Sequence, residues 1–517
     1  MCAKGSACPA LKSISPLFSL IFVSLFFILT TAQVYAAGLE RSGRWFTYDG
    51  QPTYLVGFDA QELAADPNID YVAMLDLFSR HKINKVRIWT YIWFSKVSIW
   101  KYFWFGSSFE PLTPWAKDAN GKYNLDEWNP AYWTRVKNFI AKARERKIVV
   151  EISVFAPYPA ASWWWHNRSI AWNKNNNING AFSSNSNKHF QPQFFDLNYS
   201  ETSNSGKKLK DYQQALIDKA VKEFGGYDNV YFEVMNEFGT YKLDVTQWYT
   251  WQLKWAQRIR NTSSRLISVS AGGGNNSFDG SLYWNQPYLD VLTIRTTNSP
   301  QRISDMLHSA QLKGKVLSLN ETSGDYADDL DTHTQYAWGM FMSGGYVGIY
   351  QDKPSDMGDS SWIAMANRLK ALREIAEKAN FSTLSPVDSA GNEYDSLVAQ
   401  GPSGSNRQVL ANPGSGYVVY FWGSKSSTAA KIQLPAGNYS YEWYSALNAA
   451  LISSGTVSGG GPTSIPAPPT SSWSTQPGLA LIISRNGGGG TQLQNGVSVS
   501  GLSTGADDQG GRRRGGR

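Results

Sequence analysis

The chain holds only two cysteines, Cys2 and Cys8, and both precede its one long apolar run. Nothing after that run can form a disulfide, bind metal through thiolate or use a cysteine nucleophile. Histidine is also scarce, with five in 517 residues and no metal-ligand spacing, so a zinc site is not expected. Gly272-Gly273-Gly274 follows a strand-like run but lacks the lysine and spacing of a phosphate loop, and is read as a permissive turn. No cofactor is therefore expected. Charged residues make up only 17% of the chain. The formal charge of +7 owes two lysines, Lys4 and Lys12, to the N-terminus, and four arginines against Asp507 and Asp508 to the tail. The remaining body is close to neutral, which gives no footprint for nucleic acid.

The apolar run itself, Leu17 to Leu29, is 13 residues long, too short to cross a hydrocarbon layer of about 30 Å. Preceded by Lys4 and Lys12 and followed by small residues at Val34-Tyr35-Ala36, it reads as a cleaved export signal over 1–36. The mature protein is expected outside the cytoplasm, secreted or periplasmic, with no membrane contact once the signal is removed. A large exported chain without disulfides points to a bacterial source.

What is abundant is aromatic side chain: 14% of residues, with 21 tryptophans. Part of that excess must pack under loops. The rest suits sugar rings, whose C–H faces stack on flat apolar surfaces.

From about residue 37 to 380, short β-branched runs alternate with amphipathic helices, the pattern of a parallel sheet. Tyr132, Val136, Phe139, Ile140 and Ala143 fall at helical spacing behind Asn129-Pro130, and Leu209, Tyr212, Leu216, Ala220 and Phe224 form a second stripe stopped by Gly225-Gly226. Eight strands are expected, at 53–59, 84–90, 147–155, 229–237, 265–271, 290–296, 314–321 and 346–351. The fold class is α/β: a (β/α)8 barrel, with long loops at 91–128 and 156–207 on the C-terminal face, where barrel enzymes work. After 380 the pattern becomes antiparallel: YVVYFW (417–422), KIQL (431–434), YSYEWY (439–444) and LALII (479–483) read as a β-sandwich spanning 381–486. Residues 487–517 form a Gly-rich tail. Its stretch TQLQNGVSVSGLS (491–503) resembles the opening of a bacterial pre-peptidase C-terminal β-domain, cut short.

Two of the strands end in Asn-Glu, at Asn236-Glu237 on the fourth and Asn320-Glu321 on the seventh. A barrel aims such residues across its mouth. Hydrolysis of a glycosidic bond with retention needs one carboxyl to protonate the leaving oxygen and another, about 5–5.5 Å away, to attack the anomeric carbon. The strings FEVMNE, VRIW (86–89) and VLSLNE, together with LDEWNPAYWTRVKNFIAKARERKIVVEISVF, NNNING (175–180) and GGYDNVYFEVMNE, resemble the clan of retaining (β/α)8 glycoside hydrolases. They lie nearest to cellulase-type members of glycoside hydrolase family 5. The segment after the barrel resembles the accessory sandwich called a collagen-binding-type domain.

The resemblance implies roles for particular residues. Glu237 matches the acid/base, Glu321 the nucleophile, Asn236 the amide that bonds the sugar 2-hydroxyl, and Arg87 the cation that keeps the nucleophile ionised. The expected substrate is a β-linked poly- or oligosaccharide such as a β-glucan or mannan, handled by a monomer. One departure stands out: where the clan has His-x-Tyr at the end of the sixth strand, this chain has Arg295-Thr296-Thr297. A transglycosylase on the same site, or a binding protein on a degenerate barrel, remain alternatives.

Around this pair, Trp89, Trp93, His166, Asn177 and Tyr350 are candidate substrate contacts, each weighed against a packing or loop-tying role. Trp100, Trp104 and Trp163-Trp164-Trp165 crowd the same loops. Glu233, four residues before Glu237, is read as a structural carboxylate bonded to Arg87 or to a backbone donor. Asp59, Asp196, Asp325 and Asp352, near the mouth, are read as solvated or loop-tying residues, with a bond to a sugar hydroxyl as the alternative for each.

Overall fold

All eight expected strands form, and they close on themselves. The computed structural model describes residues 38–487 apart from 62, 91–111, 156–170, 181–190, 237–244, 271–282, 284, 297–313, 323–328, 351–356, 387–396, 403–404, 424–427 and 473–475. Val56–Asp59, Lys85–Trp89, Val149–Phe155, Val230–Met235, Ile267–Ser270, Val291–Thr296, Val316–Thr322 and Tyr346–Tyr350 form a closed parallel barrel. The eighth strand completes it by pairing with the first, from Val347 opposite Val56 to Tyr350 opposite Asp59. The export segment, the Gly-rich tail, Glu237, Trp93 and His166 lie outside the described residues, as do Trp100, Trp104, Trp163 to Trp165, Asp325 and Asp352.

The covering helices follow their stripes. Pro130–Glu145 starts where Asn129 accepts the Ala131 N–H through its side chain and Pro130 occupies the first turn, where no N–H is needed. It buries Tyr132, Trp133, Val136, Phe139, Ile140 and Ala143. Leu209–Phe224 buries its predicted stripe and adds Gln213, Ile217 and Val221. Gln213 is a polar residue on an apolar face, matched there by the Phe194 carbonyl and the Trp251 indole N–H.

The N-terminal end of the barrel is stoppered by a hairpin, Leu39–Ser42 against Trp45–Tyr48. Phe46 is fully buried among Tyr231 and Tyr346, and its backbone N–H donates to the Tyr346 hydroxyl at 2.7 Å. At the same end Arg41 pairs with Asp290 at 3.0 Å and donates to the Gly314 carbonyl at 2.7 Å.

Beyond the last barrel helix, Ser360–Lys378, the chain forms an antiparallel sheet. Its two faces alternate as strand geometry requires. Leu410, Val418, Tyr420, Trp422, Tyr444, Ala480 and Ile482 join the barrel's own core, while Val409, Tyr417, Val419, Phe421, Trp443, Leu481 and Ile483 form a second core. Ala430–Ser445 shifts register between Leu434 and Gly437, around Pro435, so its first half pairs with Val398–Gln400 and its second with Gly478–Arg485. The helix Leu330–Met342 is buried on nearly all sides, because the barrel lies against one face and this sheet against the other. Trp338 stacks on Tyr420 at 4.7 Å with the rings 9° apart.

The sequence pattern missed one long strand. Leu451–Ile465 pairs with Ala430–Ser445 along most of its length, although LISSGTVSGGGPTSI has no apolar alternation. Its partner, not its own side chains, makes it a strand.

Candidate active site

Alternation along a barrel strand sends every second side chain inward, and most barrels fill that space with Val, Ile and Leu. Here several inner positions are polar. Lys85 and Arg87 share the second strand two residues apart and both are buried, at 1% exposure. A buried charge is tolerated only when paired and hydrogen-bonded.

The Arg87 guanidinium meets the Asp59 carboxylate at 3.1 Å, and its Nε donates to Glu233 Oε2 at 3.1 Å. Its Nη2 donates to both Glu233 Oε2 and Asn236 Oδ1. Arginine can only donate, so this contact fixes which way the Asn236 amide points. Asn236 is buried, and its backbone N–H donates to the Phe155 carbonyl at 3.0 Å.

Lys85 takes the other half of the interior. Its ammonium lies 3.0 Å from Ser318 Oγ, 3.0 Å from Asn320 Oδ1 and 2.9 Å from Glu151 Oε2. Asn320 in turn donates to Glu151 Oε1 at 2.6 Å and to Glu233 Oε1 at 3.4 Å, and its Oδ1 accepts from Ser318 Oγ at 2.7 Å. The two Asn-Glu pairs are thus anchored alike: each asparagine oxygen accepts from a cation of the second strand.

Among the described residues, three carboxyls, Asp59, Glu151 and Glu233, face the two cations in this space. Burial pushes the Glu233 carboxyl up, and neighbouring Glu151 pushes it further, against the pull of Arg87. Burial acts on Glu151 in the same sense, but Lys85 and Arg87 outweigh it and hold that carboxyl below its ordinary value. The Thr293 hydroxyl donates to Glu233 Oε1 at 2.9 Å and lies 3.2 Å from the Val269 carbonyl. The Tyr231 phenol is pushed far above its ordinary value by burial and by Glu151.

Glu321 lies on the seventh strand at the same end of the barrel. The ladder there skips a residue: Ile294 faces Leu319 and Arg295 faces Glu321, leaving Asn320 as the extra residue of a bulge. Bulges re-aim the side chains next to them and gather beside active sites. On the far side of Glu321, the Thr322 hydroxyl accepts the Tyr350 N–H at 3.4 Å.

The remaining candidates separate. Tyr350 ends the eighth strand at the mouth and is partly exposed. Trp89 ends the second strand but is 2% exposed, with the Arg87 guanidinium 5.9 Å from its ring centre, so it underlies the site as packing. Asn177 is buried and spends its amide hydrogens on the Ala171 and Asn173 carbonyls, while its oxygen accepts the Asn179 N–H. It ties its loop. Asp59, expected to be solvated or loop-tying, is instead fully buried, because Arg87 needs an anion inside the barrel. Glu233 bonds Arg87 as expected, and Asp196 ties its own turn through the Asn198 N–H. Lys85, Glu151 and Thr293 were not foreseen. Their signal was available as charge inside otherwise apolar strand runs, NKVRIW and KIVVEISVF. Among the described residues, no group of three or more His, Cys, Asp and Glu could hold a metal ion.

No family model matches the chain, and no curated protein matches it. Solved structures do. The chain is similar to a glycoside hydrolase family 5 structure from Bacteroides vulgatus ATCC 8482, with 13% identity, a TM-score of 0.60, and coverage of 87% of this chain and 93% of that one. A second structure, described as a glycoside hydrolase, matches at 12% identity with a TM-score of 0.58, covering 87% of this chain and 96% of that one. At such identities the likeness is one of fold, a (β/α)8 barrel with a C-terminal antiparallel sheet.

Proposed function

We propose that this chain is an exported, cofactor-independent glycoside hydrolase. It cleaves β-linked poly- or oligosaccharide by double displacement, with Glu237 as acid/base and Glu321 as nucleophile. One observation carries the reading: Asn236 and Glu321 sit at the C-terminal ends of the fourth and seventh strands of a closed barrel, over an interior of paired charges in place of aliphatic filling.

In this mechanism Glu237 protonates the departing oxygen while Glu321 attacks the anomeric carbon. Glu237 then deprotonates the water that releases the glycosyl-enzyme. Asn236, its oxygen held by Arg87, turns its N–H groups toward the sugar 2-hydroxyl, a bond that strengthens as positive charge develops on the ring. Asp59 and Glu233 both bond Arg87, so the guanidinium acts chiefly by fixing geometry.

The test is chemical rescue. Glu321→Ala should abolish turnover of an activated aryl β-glycoside, and azide should restore it as the glycosyl azide of inverted configuration. Turnover that survives in this variant overturns the proposal.

A further inference from the structure

Double displacement gives no task to Lys85, yet the chain places a lysine in the barrel interior and gives it two hydrogen bonds and an ion pair. It donates to Ser318 Oγ and Asn320 Oδ1, both at 3.0 Å, and pairs with Glu151 Oε2 at 2.9 Å. A lysine serving only to pair with Glu151 would need one of these contacts. The other two lie on the seventh strand, and they converge on one residue, since Ser318 also donates to Asn320.

Asn320 is the extra residue of the bulge and immediately precedes Glu321. Bulge residues lie outside the regular ladder, so their position depends on what else holds them. Here the side chain is held completely. Its oxygen accepts from Lys85 and Ser318, and its amide donates to Glu151 and Glu233. An asparagine amide has two acceptor sites and two donors, and all four are used.

We infer that Lys85, together with Glu151, is a positioning residue for Glu321, acting through Asn320 to fix where the seventh strand bulges and hence where the next residue is presented. This rests on the nucleophile reading given above. An attacking carboxylate displaced by about 1 Å can lose on the order of 10²-fold in rate while ground-state binding is hardly touched.

The experiment uses the full chain and an activated aryl β-glycoside. Removing one member of a buried ion pair destabilises strongly, whereas removing both is close to neutral, so Lys85→Met and Glu151→Gln are combined. The expected result is a kcat lowered by about 10²-fold with KM little changed and the melting temperature kept. Adding Asn320→Ala should then cost little more, because residues acting through one another are not additive. Should the pair variant not fold, Lys85→Met with Glu151→Met fills the same volume with apolar side chains and is read the same way.

Unchanged kcat in the folded pair variant, or losses that add in full with Asn320→Ala, overturns the inference. So does a fall in melting temperature with kcat and KM both intact below it, the mark of a purely structural pair. Glu321→Ala is run alongside. If it is inactive, these outcomes bear on Lys85 alone; if it retains turnover, the nucleophile reading falls and the inference falls with it.

Discussion

The Arg87 guanidinium and the Asp59 carboxylate lie 3.1 Å apart on neighbouring strands, both sealed from solvent inside the barrel. Neither could be buried alone. Asp59→Ala leaves Arg87 with Glu233 as its remaining carboxyl partner and a buried donor unmatched, and should destabilise the fold by about 1–3 kcal/mol. Urea unfolding followed by tryptophan fluorescence measures this, and a loss below about 1 kcal/mol would contradict the pairing.

Asn236 offers a test in which the substrate supplies the second change. Asn236→Ala should lower kcat/KM on a β-glycoside by about 10²-fold, the usual cost of losing one donor to a transition state. On the matching 2-deoxy glycoside the same substitution should cost almost nothing. An equal loss on both substrates would show that Asn236 does not serve the 2-hydroxyl.

Glu233 makes stability depend on pH with a definite sign. Its carboxyl sits above the ordinary value of 4.5 when folded, so the folded state holds a proton that the unfolded state has released. Its contribution is complete below 4.5 and is lost as pH rises through the folded value. Glu233→Gln carries the neutral form permanently. The melting temperature of the variant relative to wild type should therefore rise with pH above 4.5, and a difference that stays flat or falls would contradict a raised Glu233 carboxyl.

Glu151 carries the opposite sign. Held below 4.5 by Lys85 and Arg87, it stabilises the fold above 4.5 and loses that contribution as pH falls through its folded value. The combined Lys85→Met and Glu151→Gln variant should accordingly lose less stability on acidification than wild type, measured by thermal unfolding across the acid range.

Trp338, stacked on Tyr420, joins the barrel to the C-terminal sheet. Trp338→Ala should cost about 3–5 kcal/mol, as for other large aromatics removed from a core. A chain ending at residue 384 should bind a hydrophobic dye and unfold at lower temperature, because Tyr336, Trp338 and Phe341 belong to a core that continues into the sheet. Unchanged dye binding would mean that the sheet covers no core of the barrel.

The sequence by itself determined the eight strands, the caps and stripes of their helices, and the place of the two Asn-Glu pairs. These are local matters: period-two and period-3.6 patterns, Asn129 before Pro130, a glycine stop after Phe224. Only the tertiary structure decided who meets whom inside the barrel. Lys85 and Asn320 are 235 positions apart, and no periodicity says that a lysine on the second strand will hold the asparagine of the seventh. Closure of the barrel brings them together, and the cost of burying charge then dictates that each finds a partner. The same reason makes Asp59 a buried counterion when its sequence position suggested a loop. Pairing also makes a strand of Leu451–Ile465, whose glycines and serines carry no pattern until Ala430–Ser445 offers a ladder.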